Sequence, residues 1–371
     1  MTSAAVGDLI LDEIRVTRVA RRYRTPFGIS SGTTGELVSL IVEVRAGDDT
    51  GIGEVSPMTA YTGETEDGVR SALEEHLLPA LRGVPVAGIG AAHVAMDAAI
   101  RGQSLAKGAL DIALHDLLAR RHGLAVHHLL GGAVRDHVGV AWVIGLGDID
   151  DVVDEARAAV ARGFGHVKVK GGHDLHRDLT LVRRLVDELG VEAEIALDAN
   201  EGYRGREAHR VLEQMDDAGL AMVEQPLPRW DLRGATRLTE SLRMDVIADE
   251  SVQSVHDAQR ILDAGAADIL NVKILKVGGL YRAAQIAALA AVAGVPIKVG
   301  SMPELGVATL AAAHFAVAAP TATVAGDFVG PLLVEGDPFA TDLLRAADTG
   351  RLARPLGTGL GVDPTAWKDA A

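Results

Sequence analysis

The chain has 371 residues, 48% of them hydrophobic and 3% aromatic, and a formal net charge of −15. This charge repels nucleic-acid phosphates and anionic lipid surfaces, so we expect neither nucleic acid nor a membrane as a partner, and a carboxylate substrate would need a local positive site. The absence of cysteine excludes disulfides, a thiolate nucleophile and cysteine-ligated metal centres.

The length favours two domains, a barrel of roughly 250 residues and a smaller partner. The N-terminal residues show no basic stretch followed by an apolar one, and no uncharged apolar span is long enough to cross a bilayer. We therefore predict a cytoplasmic protein.

Residues 1–133 have strands first and helices afterwards. Two stretches, 9–23 and 36–49, approximate the alternation of half-buried strands, and Thr50-Gly51-Ile52-Gly53-Glu54 suggests a turn into a third strand. Helical periodicity follows near 64–78, 90–100 and 104–122. The pattern predicts an α+β domain in which helices cover one face of an antiparallel sheet.

Eight short apolar runs follow, about 23 to 29 residues apart, with amphipathic helices between them. The runs are 138–145, 166–170, 195–199, 222–226, 246–250, 269–273, 296–300 and 321–325. They predict a (β/α) barrel over residues 134–335, with a doubly wound open sheet as the alternative. Residues 336–371 are rich in Gly and Pro, and we expect them to return to the N-terminal domain.

Four charged residues close successive runs at intervals of 26, 25 and 24 residues: Asp198, Glu224, Asp249 and Lys273. The carboxyl ends of barrel strands carry the active site, so these side chains are functional candidates. Three carboxylates would repel one another without a cation, and an all-oxygen set suits Mg²⁺, with Mn²⁺ possible as a substitute. The alternative is that each acid caps a helix or pairs with an arginine.

Three lysines accompany the carboxylates. Lys168 and Lys170 alternate along one strand and share a face, and Lys273 ends a strand on the other side of the acids. We expect a neighbouring cation to lower the pKa of these lysines toward that of a general base. The alternative for Lys168 and Lys170 is a solvated pair, and His166, His115 and His314 are interpreted as structural.

This constellation favours proton transfer at the carbon α to a carboxylate, because a metal that binds the carboxylate stabilises the enediolate. Two opposed lysines permit racemisation, whereas one active lysine permits elimination or cycloisomerisation. A Schiff-base aldolase using Lys170 or Lys273 and an inactive ligand-binding barrel are the rival hypotheses.

The sequence resembles the enolase superfamily, and within it the muconate lactonizing enzyme subgroup, over nearly its whole length. The motifs that carry the resemblance are Val167-Lys168-Val169-Lys170, Leu197-Asp198-Ala199-Asn200, Val223-Glu224-Gln225-Pro226, Ala248-Asp249-Glu250-Ser251, and Asn271-Val272-Lys273 with Gly278-Gly279. The resemblance implies a modified TIM-type barrel with a capping domain formed from both chain ends.

The resemblance also implies residue roles. Asp198, Glu224 and Asp249 would be the Mg²⁺ ligands, Lys170 and Lys273 the acid/base pair, and Lys168 a helper of Lys170. Loops 25–32 and 57–61 would close over the site. Supporting or substrate-contacting residues would be Asn200, Glu250, Ser301, Glu304, Asp327, Phe27 and Tyr61.

Different motifs resemble subgroup members that act on different substrates. Val140-Ala141-Trp142 and Gly330-Pro331-Leu332-Leu333 are similar to muconate cycloisomerases, whereas Val299-Gly300-Ser301-Met302 and Gly326-Asp327-Phe328 are closer to dipeptide epimerases and N-acylamino acid racemases. Val329 stands where dipeptide epimerases carry a second Asp. We predict a muconate-type cycloisomerase acting on a small carboxylate, with N-acylamino acid racemase or dipeptide epimerase next and acid dehydratase third, and we expect a homo-oligomer.

Overall fold

The structure, a computed structural model, describes residues 10–29, 32–341, 344 and 347–368. It begins with an antiparallel sheet whose strands lie in the order β1 (Glu13–Ile29), β2 (Gly32–Ala46) and β3 (Asp49–Val55). The predicted N-terminal sheet is therefore observed.

Helices follow this sheet, and the longest packs on it. They are α1 (Thr59–Thr62), α2 (Glu66–Ser71), a π-helical turn (Ala72–Leu77), α3 (Leu78–Leu81), α4 (Ile89–Ala99), α5 (Ser104–Arg121) and α6 (Val126–Leu129).

The predicted turn at residues 50–54 is wrong, since these residues lie inside β3 and the turn is at Gly47 and Asp48. The glycines have another role there. A Cβ at Gly51 or Gly53 would lie within 2.2 or 1.9 Å of the carbonyl oxygens of α5. Glycine therefore lets α5 lie directly on the strand.

A short strand, β4 (His137–Gly139), precedes a sheet of eight parallel strands. These are β5 (Trp142–Ile144), β6 (His166–Lys170), β7 (Glu194–Asp198), β8 (Met222–Glu224), β9 (Asp245–Ala248), β10 (Ile269–Val272), β11 (Ile297–Val299) and β12 (Ala322–Val324). Neighbours in the chain are neighbours in the sheet, as in a barrel and unlike a doubly wound fold.

Seven helices connect the eight strands. They are α7 (Ile149–Arg162), α8 (Leu175–Leu189), α9 (Gly205–Asp217), α10 (Leu232–Ser241), α11 (Val255–Ala264), α12 (Leu280–Ala293) and α13 (Gly306–Ala318). Helix α13 is buried along its whole length, as its apolar sequence predicts.

The barrel closes through hydrogen bonds next to its first and last strands. Ala141 N donates to Gly326 O at 2.9 Å, and Gly326 N donates to Gly139 O at 3.0 Å. The prediction of one barrel strand over 138–145 is wrong in part, because β4 pairs instead with the antiparallel strand β13 (Arg351–Ala353). The backbone turns between β4 and β5, where Val140 N donates to Gly350 O at 2.9 Å.

The segment after the barrel contacts the N-terminal unit. It contains α14 (Gly330–Leu333), Glu335 N donates to Arg22 O at 2.9 Å, and Leu360 N donates to Asp116 Oδ1 at 2.7 Å. The bond of Leu360 favours the return of residues 336–371 to the N-terminal unit, and the division into 1–133, 134–335 and 336–371 stays a prediction. In the part of the chain that the structure describes, no helix has the length and apolar character needed to cross a membrane.

Candidate active site

A cavity opens at the carboxyl ends of the barrel strands, next to α1 of the N-terminal unit. Lys168 and Lys170 reach it from β6, and Lys273 reaches it directly after β10. The other lining residues are Tyr61, Asn200, Ser301, Asp327, Met58, Val143, Met302, Pro303, Val329, Gly330 and Leu333.

Three carboxylates lie at the ends of three adjacent strands. Asp198 and Glu224 are the last residues of β7 and β8 and are partners in the parallel ladder, and Asp249 directly follows β9. All three side chains are fully buried. Buried carboxylates so close together need cations to offset their charge.

Ammonium groups contact each of these carboxylates. Nζ–oxygen distances are 2.7 Å for Lys170–Asp198, 3.2 Å for Lys168–Glu224 and 2.7 Å for Lys273–Asp249. Among the described residues, no three Asp, Glu, His or Cys side chains converge as a preformed metal site. The donor chemistry nevertheless fits Mg²⁺ or Mn²⁺, because three carboxylates on adjacent strand ends supply the hard oxygen ligands that these ions prefer.

The two outer lysines flank the carboxylates. Strands β6 and β10 lie on either side of β7, β8 and β9, so Lys170 and Lys273 approach from opposite sides. Lys170 also donates to Asn200 Oδ1 at 3.1 Å. The sheet order therefore places one amine at each flank of the acidic centre.

Tyr61 brings the N-terminal unit into the site. Its hydroxyl donates to Asp249 Oδ1 at 2.9 Å and accepts from Lys273 Nζ at 3.2 Å. The ammonium of Lys273 also lies 4.6 Å from the centre of the Tyr61 ring. Helix α1 thus contacts one flank of the cavity directly.

Comparison with known proteins covers both units of the chain. Residues 151–368 match the family model "Enolase C-terminal domain-like". Residues 12–131 match "Mandelate racemase / muconate lactonizing enzyme, N-terminal domain". The chain belongs to the enolase superfamily, in its muconate lactonizing enzyme subgroup.

Proteins similar to this chain include several isomerases. A chloromuconate cycloisomerase from Pseudomonas sp. (strain P51) is 32% identical over 357 residues, 95% of this chain and 96% of that protein. The N-succinyl Arg/Lys racemase of Bacillus cereus ATCC 14579 has a TM-score of 0.91 at 26% identity, covering 97% of this chain and 98% of that one. A dipeptide epimerase from Enterococcus faecalis V583, complexed with Mg and dipeptide L-Leu-L-Tyr, has a TM-score of 0.90 at 28% identity, covering 96% and 100%. This chain is an isomerase of the enolase superfamily.

In this superfamily member the carboxylates set the charge state of the lysines. Burial by itself lowers the pKa of Lys273, but Asp249 and Glu224 raise it above its usual value. Burial by itself also lowers the pKa of Lys168, but the charges of Asp327 and Glu224 raise it above its usual value. The carboxylate charges act directly on these ammonium groups, and the lowering of the lysine pKa values that we expect from a bound cation stays a prediction.

Lys276 is a site residue that sequence reasoning missed. It is fully buried, and its Nζ donates to the carbonyl oxygen of Asp249 at 2.5 Å and to Oδ1 at 2.6 Å. Its only sequence signal is its place in the loop after β10. A lysine there orients the Asp249 carboxylate from below the cavity.

Lys298 and Asn271 were also missed. Lys298 Nζ lies 3.1 Å from Glu224 Oε2 and 3.0 Å from Asp327 Oδ1, and Asn271 Nδ2 donates to Glu224 Oε1 at 2.8 Å. The signal was a polar residue inside each of two apolar runs. Such residues face the barrel interior, and here both contact the Glu224 carboxylate at the end of β8.

The backbone after β7 and β8 is strained. Asn200, Glu201 and Gln225 have φ values of 41°, 65° and 38°, in the left-handed region that most residues avoid. The Gln225 amide oxygen accepts from the backbone N–H groups of Asp249 and Ser251, at 2.9 and 3.0 Å. These bonds tie the end of β8 to the end of β9.

Other predicted site residues lie around the lysines. Asn200 Nδ2 donates to Glu250 Oε1 at 2.9 Å, and Ser301 Oγ donates to the Asp327 carbonyl at 2.6 Å. Burial, with the charge of neighbouring Asp residues, raises the pKa of Glu250 to about 8. Glu304 is buried behind the cavity wall, where burial and the charge of a second glutamate raise its pKa.

The two predicted capping loops are described to different extents. Residues 57–61 lie at the cavity, where Met58 and Tyr61 line it. In the predicted loop 25–32, residues 25–29 belong instead to β1 and Gly32 begins β2, so Phe27 is a strand position. Ser30 and Ser31 lie outside the described residues.

The histidines interpreted as structural contact groups outside the cavity. The nitrogen–oxygen distances are 2.9 Å for His166–Glu194 and 3.3 Å for His115–Asp111, and His314 Nδ1 lies 3.0 Å from His127 Nδ1.

Proposed function

We propose that this isomerase moves a proton at the carbon α to the carboxylate of a small substrate, with a divalent cation as cofactor. The observation that carries the proposal is the pair Lys170 and Lys273, which line one cavity on opposite sides of three buried carboxylates. An amine on each face can remove or return a proton at a carbon held between them.

Asp198, Glu224 and Asp249 would hold the cation. A bound Mg²⁺ would hold the substrate carboxylate and stabilise the negative charge that develops when the α-proton leaves. The solved dipeptide epimerase neighbour contains Mg, which supports this choice of metal.

The chain's own side chains would handle the proton. Lys170 Nζ and Lys273 Nζ would exchange it with the substrate, and Lys168 would sustain the charge balance beside Lys170 through its contacts with Glu224 and Asp327. The apolar and aromatic residues at the cavity mouth would keep water away from the reacting carbon.

Charge favours an anionic substrate with more than one carboxylate. Within the described residues, the ion-pair network contains five lysines and four carboxylates: Lys168, Lys170, Lys273, Lys276 and Lys298 with Asp198, Glu224, Asp249 and Asp327. A divalent cation would add to this positive excess, so the site would attract a dicarboxylate more strongly than a zwitterion. Muconate-type cycloisomerisation is therefore the leading reaction, as in the Pseudomonas relative.

Racemisation or epimerisation of an N-acylated amino acid is the second candidate. Both lysines reach the cavity, which favours racemisation because that reaction uses two amines. Cycloisomerisation needs only one amine, which delivers a proton after ring closure. Val329 lines the cavity, so an acidic partner for a substrate ammonium is replaced there by an apolar side chain. This disfavours a free-amine dipeptide.

NMR spectra recorded in D₂O with Mg²⁺ would test the function on muconates, N-acylamino acids and acid sugars. A lactone formed from a muconate indicates cycloisomerisation, α-deuteration without other change indicates racemisation, and loss of water indicates a dehydratase. Lys273→Ala and Lys170→Ala should each abolish a racemisation, whereas a cycloisomerisation should be abolished by loss of the amine that delivers the proton and slowed by loss of the other. Full activity in either variant contradicts the assigned role, and trapping of a substrate by borohydride would favour the aldolase instead.

A Mg²⁺ titration followed by thermal melting would test the metal. We expect a concentration-dependent rise in Tm for the wild type that is lost in Asp249→Asn. The absence of any rise in the wild type would count against the site. A cytoplasmic location and a homo-oligomeric state remain part of this proposal.

A further inference from the structure

A fully buried carboxylate, that of Glu54 in β3, joins the N-terminal sheet to the barrel. Its Oε1 accepts from Leu305 N at 2.5 Å and from Ser39 Oγ at 2.9 Å, and its Oε2 accepts from Ala308 N at 3.0 Å. The two amides belong to the beginning of α13. The carboxylate therefore caps a barrel helix from another sheet, 251 residues earlier in the chain.

Three other barrel helices are capped locally. The side chains of Asp174, Asp231 and Ser254 accept from the first turns of α8, α10 and α11. The N-cap residue of α13 is Leu305, whose side chain cannot accept a hydrogen bond. Glu54 supplies the missing acceptor, so the position of α13 depends on the N-terminal sheet.

The residues just before α13 form one wall of the cavity. Ser301, Met302 and Pro303 line it, and a Cβ at Gly330, which also lines it, would lie 2.3 Å from the carbonyl oxygen of Glu304. This packing leaves little freedom between the two lining segments. Holding Leu305 thus holds this wall.

The same carboxylate connects to the opposite wall. Ser39 Oγ donates to Glu54 and lies 2.5 Å from Ser56 Oγ, which must then be the donor in that contact. Ser56 precedes Met58 and Tyr61, the two cavity residues of the N-terminal unit. Hydrogen bonds through Ser39 and Glu54 therefore link Ser56, two residues before Met58, to Leu305, two residues after Pro303.

We propose that Glu54 is a positioning residue that fixes the distance between the Met58–Tyr61 wall and the Ser301–Pro303 wall of the cavity, and so determines how tightly the substrate fits. The kinetic part of this inference rests on the proposed isomerase function. The structural part does not.

Hydrogen exchange measured by mass spectrometry tests the structural part without any substrate. Glu54→Gln keeps the side-chain shape but turns an N–H₂ group toward one of the α13 amides. We expect exchange at least threefold faster in both the peptide spanning 57–62 and the peptide spanning 301–308. Faster exchange in 301–308 alone would reduce Glu54 to a helix cap and overturn the proposal.

The matched control is Asp231→Ala, which removes the local cap of α10. It should speed exchange only at α10 and leave both cavity peptides unchanged. If Glu54→Gln does not fold, Ser39→Ala tests the same connection, because it removes the link between Glu54 and Ser56. We then expect faster exchange in 57–62, and wild-type exchange there would overturn the proposal.

The kinetic part is tested by measuring KM and kcat with whichever carboxylate substrate the wild type converts. Glu54→Gln should raise KM about tenfold and change kcat less than threefold, because the lysines and carboxylates are held by the barrel. Asp231→Ala should leave KM unchanged although it lowers Tm. An unchanged KM in folded Glu54→Gln would overturn the proposal, whereas a wild type inactive on every substrate would count against the proposed function and leave the exchange result standing.

Discussion

The Tyr61 hydroxyl donates to Asp249 Oδ1 across the boundary between the N-terminal helices and the barrel, at 2.9 Å. Tyr61→Phe keeps the ring near Lys273 and removes only the two hydrogen bonds of the hydroxyl, the one to Asp249 and the one from Lys273. We expect kcat/KM to fall roughly tenfold, about 1.4 kcal/mol, with little change in Tm. Steady-state kinetics checks this, and a loss as complete as that of Lys273→Ala would instead give the hydroxyl a direct part in the chemistry.

Lys276→Met should be among the most destabilising changes outside the cavity. The variant removes a fully buried ammonium that contacts both the carbonyl and the carboxylate of Asp249. Breaking a buried pair in this way costs about 3–5 kcal/mol in the free energy of unfolding. Urea denaturation measures it, with Arg243→Gln as control, because that exposed arginine should contribute less than about 1 kcal/mol. A loss below 1 kcal/mol for Lys276→Met would contradict the account.

Gly53→Ala should weaken the packing of α5 on β3. The added Cβ would lie 1.9 Å from the Ala109 carbonyl oxygen, so helix and strand must separate. The expected loss in the free energy of unfolding is at least about 1–3 kcal/mol. Gly35→Ala is the matched control, since nothing lies within 4 Å of its added Cβ. Equal stability of the two variants, measured by denaturant titration, would argue against the tight contact.

Acid should destabilise the fold through His314. Burial and the neighbouring His127 lower the pKa of His314 from 6.5 to about 3, so the folded chain excludes a proton that the unfolded chain binds below pH 6.5. The free energy of unfolding should therefore fall as the pH drops from 6.5 toward 3, by up to about 1.4 kcal/mol per pH unit for this residue.

Urea denaturation at pH values from 8 to 5 would measure this dependence. His314→Asn should make the loss of stability below pH 6.5 less steep than in the wild type. The same pH dependence in the wild type and in His314→Asn would contradict the assignment.

Residues at regular places in the strand–helix repeat could be predicted from the sequence. Asp198, Glu224, Asp249 and Lys273 close buried strands at even spacing, and parallel strands bring such ends together whatever the helices between them contain. The lysines of β6 share a face because strand side chains alternate. Local periodicity carries this information.

Contacts between distant parts of the chain could not be predicted in this way. The bond of Glu54 to α13 and the contact of Lys298 with Glu224 depend on how sheets and strands come together, and no local pattern encodes either one. Gly51 and Gly53 were taken as a turn because glycine permits turns, whereas their role is to admit a helix. In a turn the missing side chain permits unusual backbone angles, whereas on this strand it leaves room for the helix backbone.

The pairing of β4 with β13 has a consequence for synthesis on the ribosome. Arg351 meets Gly139, and Leu360 supplies a donor to the buried Asp116 of α5. Both partners are made only after all eight barrel strands have emerged. A nascent chain that has completed its barrel therefore still has β4 without its partner strand and Asp116 without the donor from Leu360. Its last assembly step waits for the segment that is translated after the barrel.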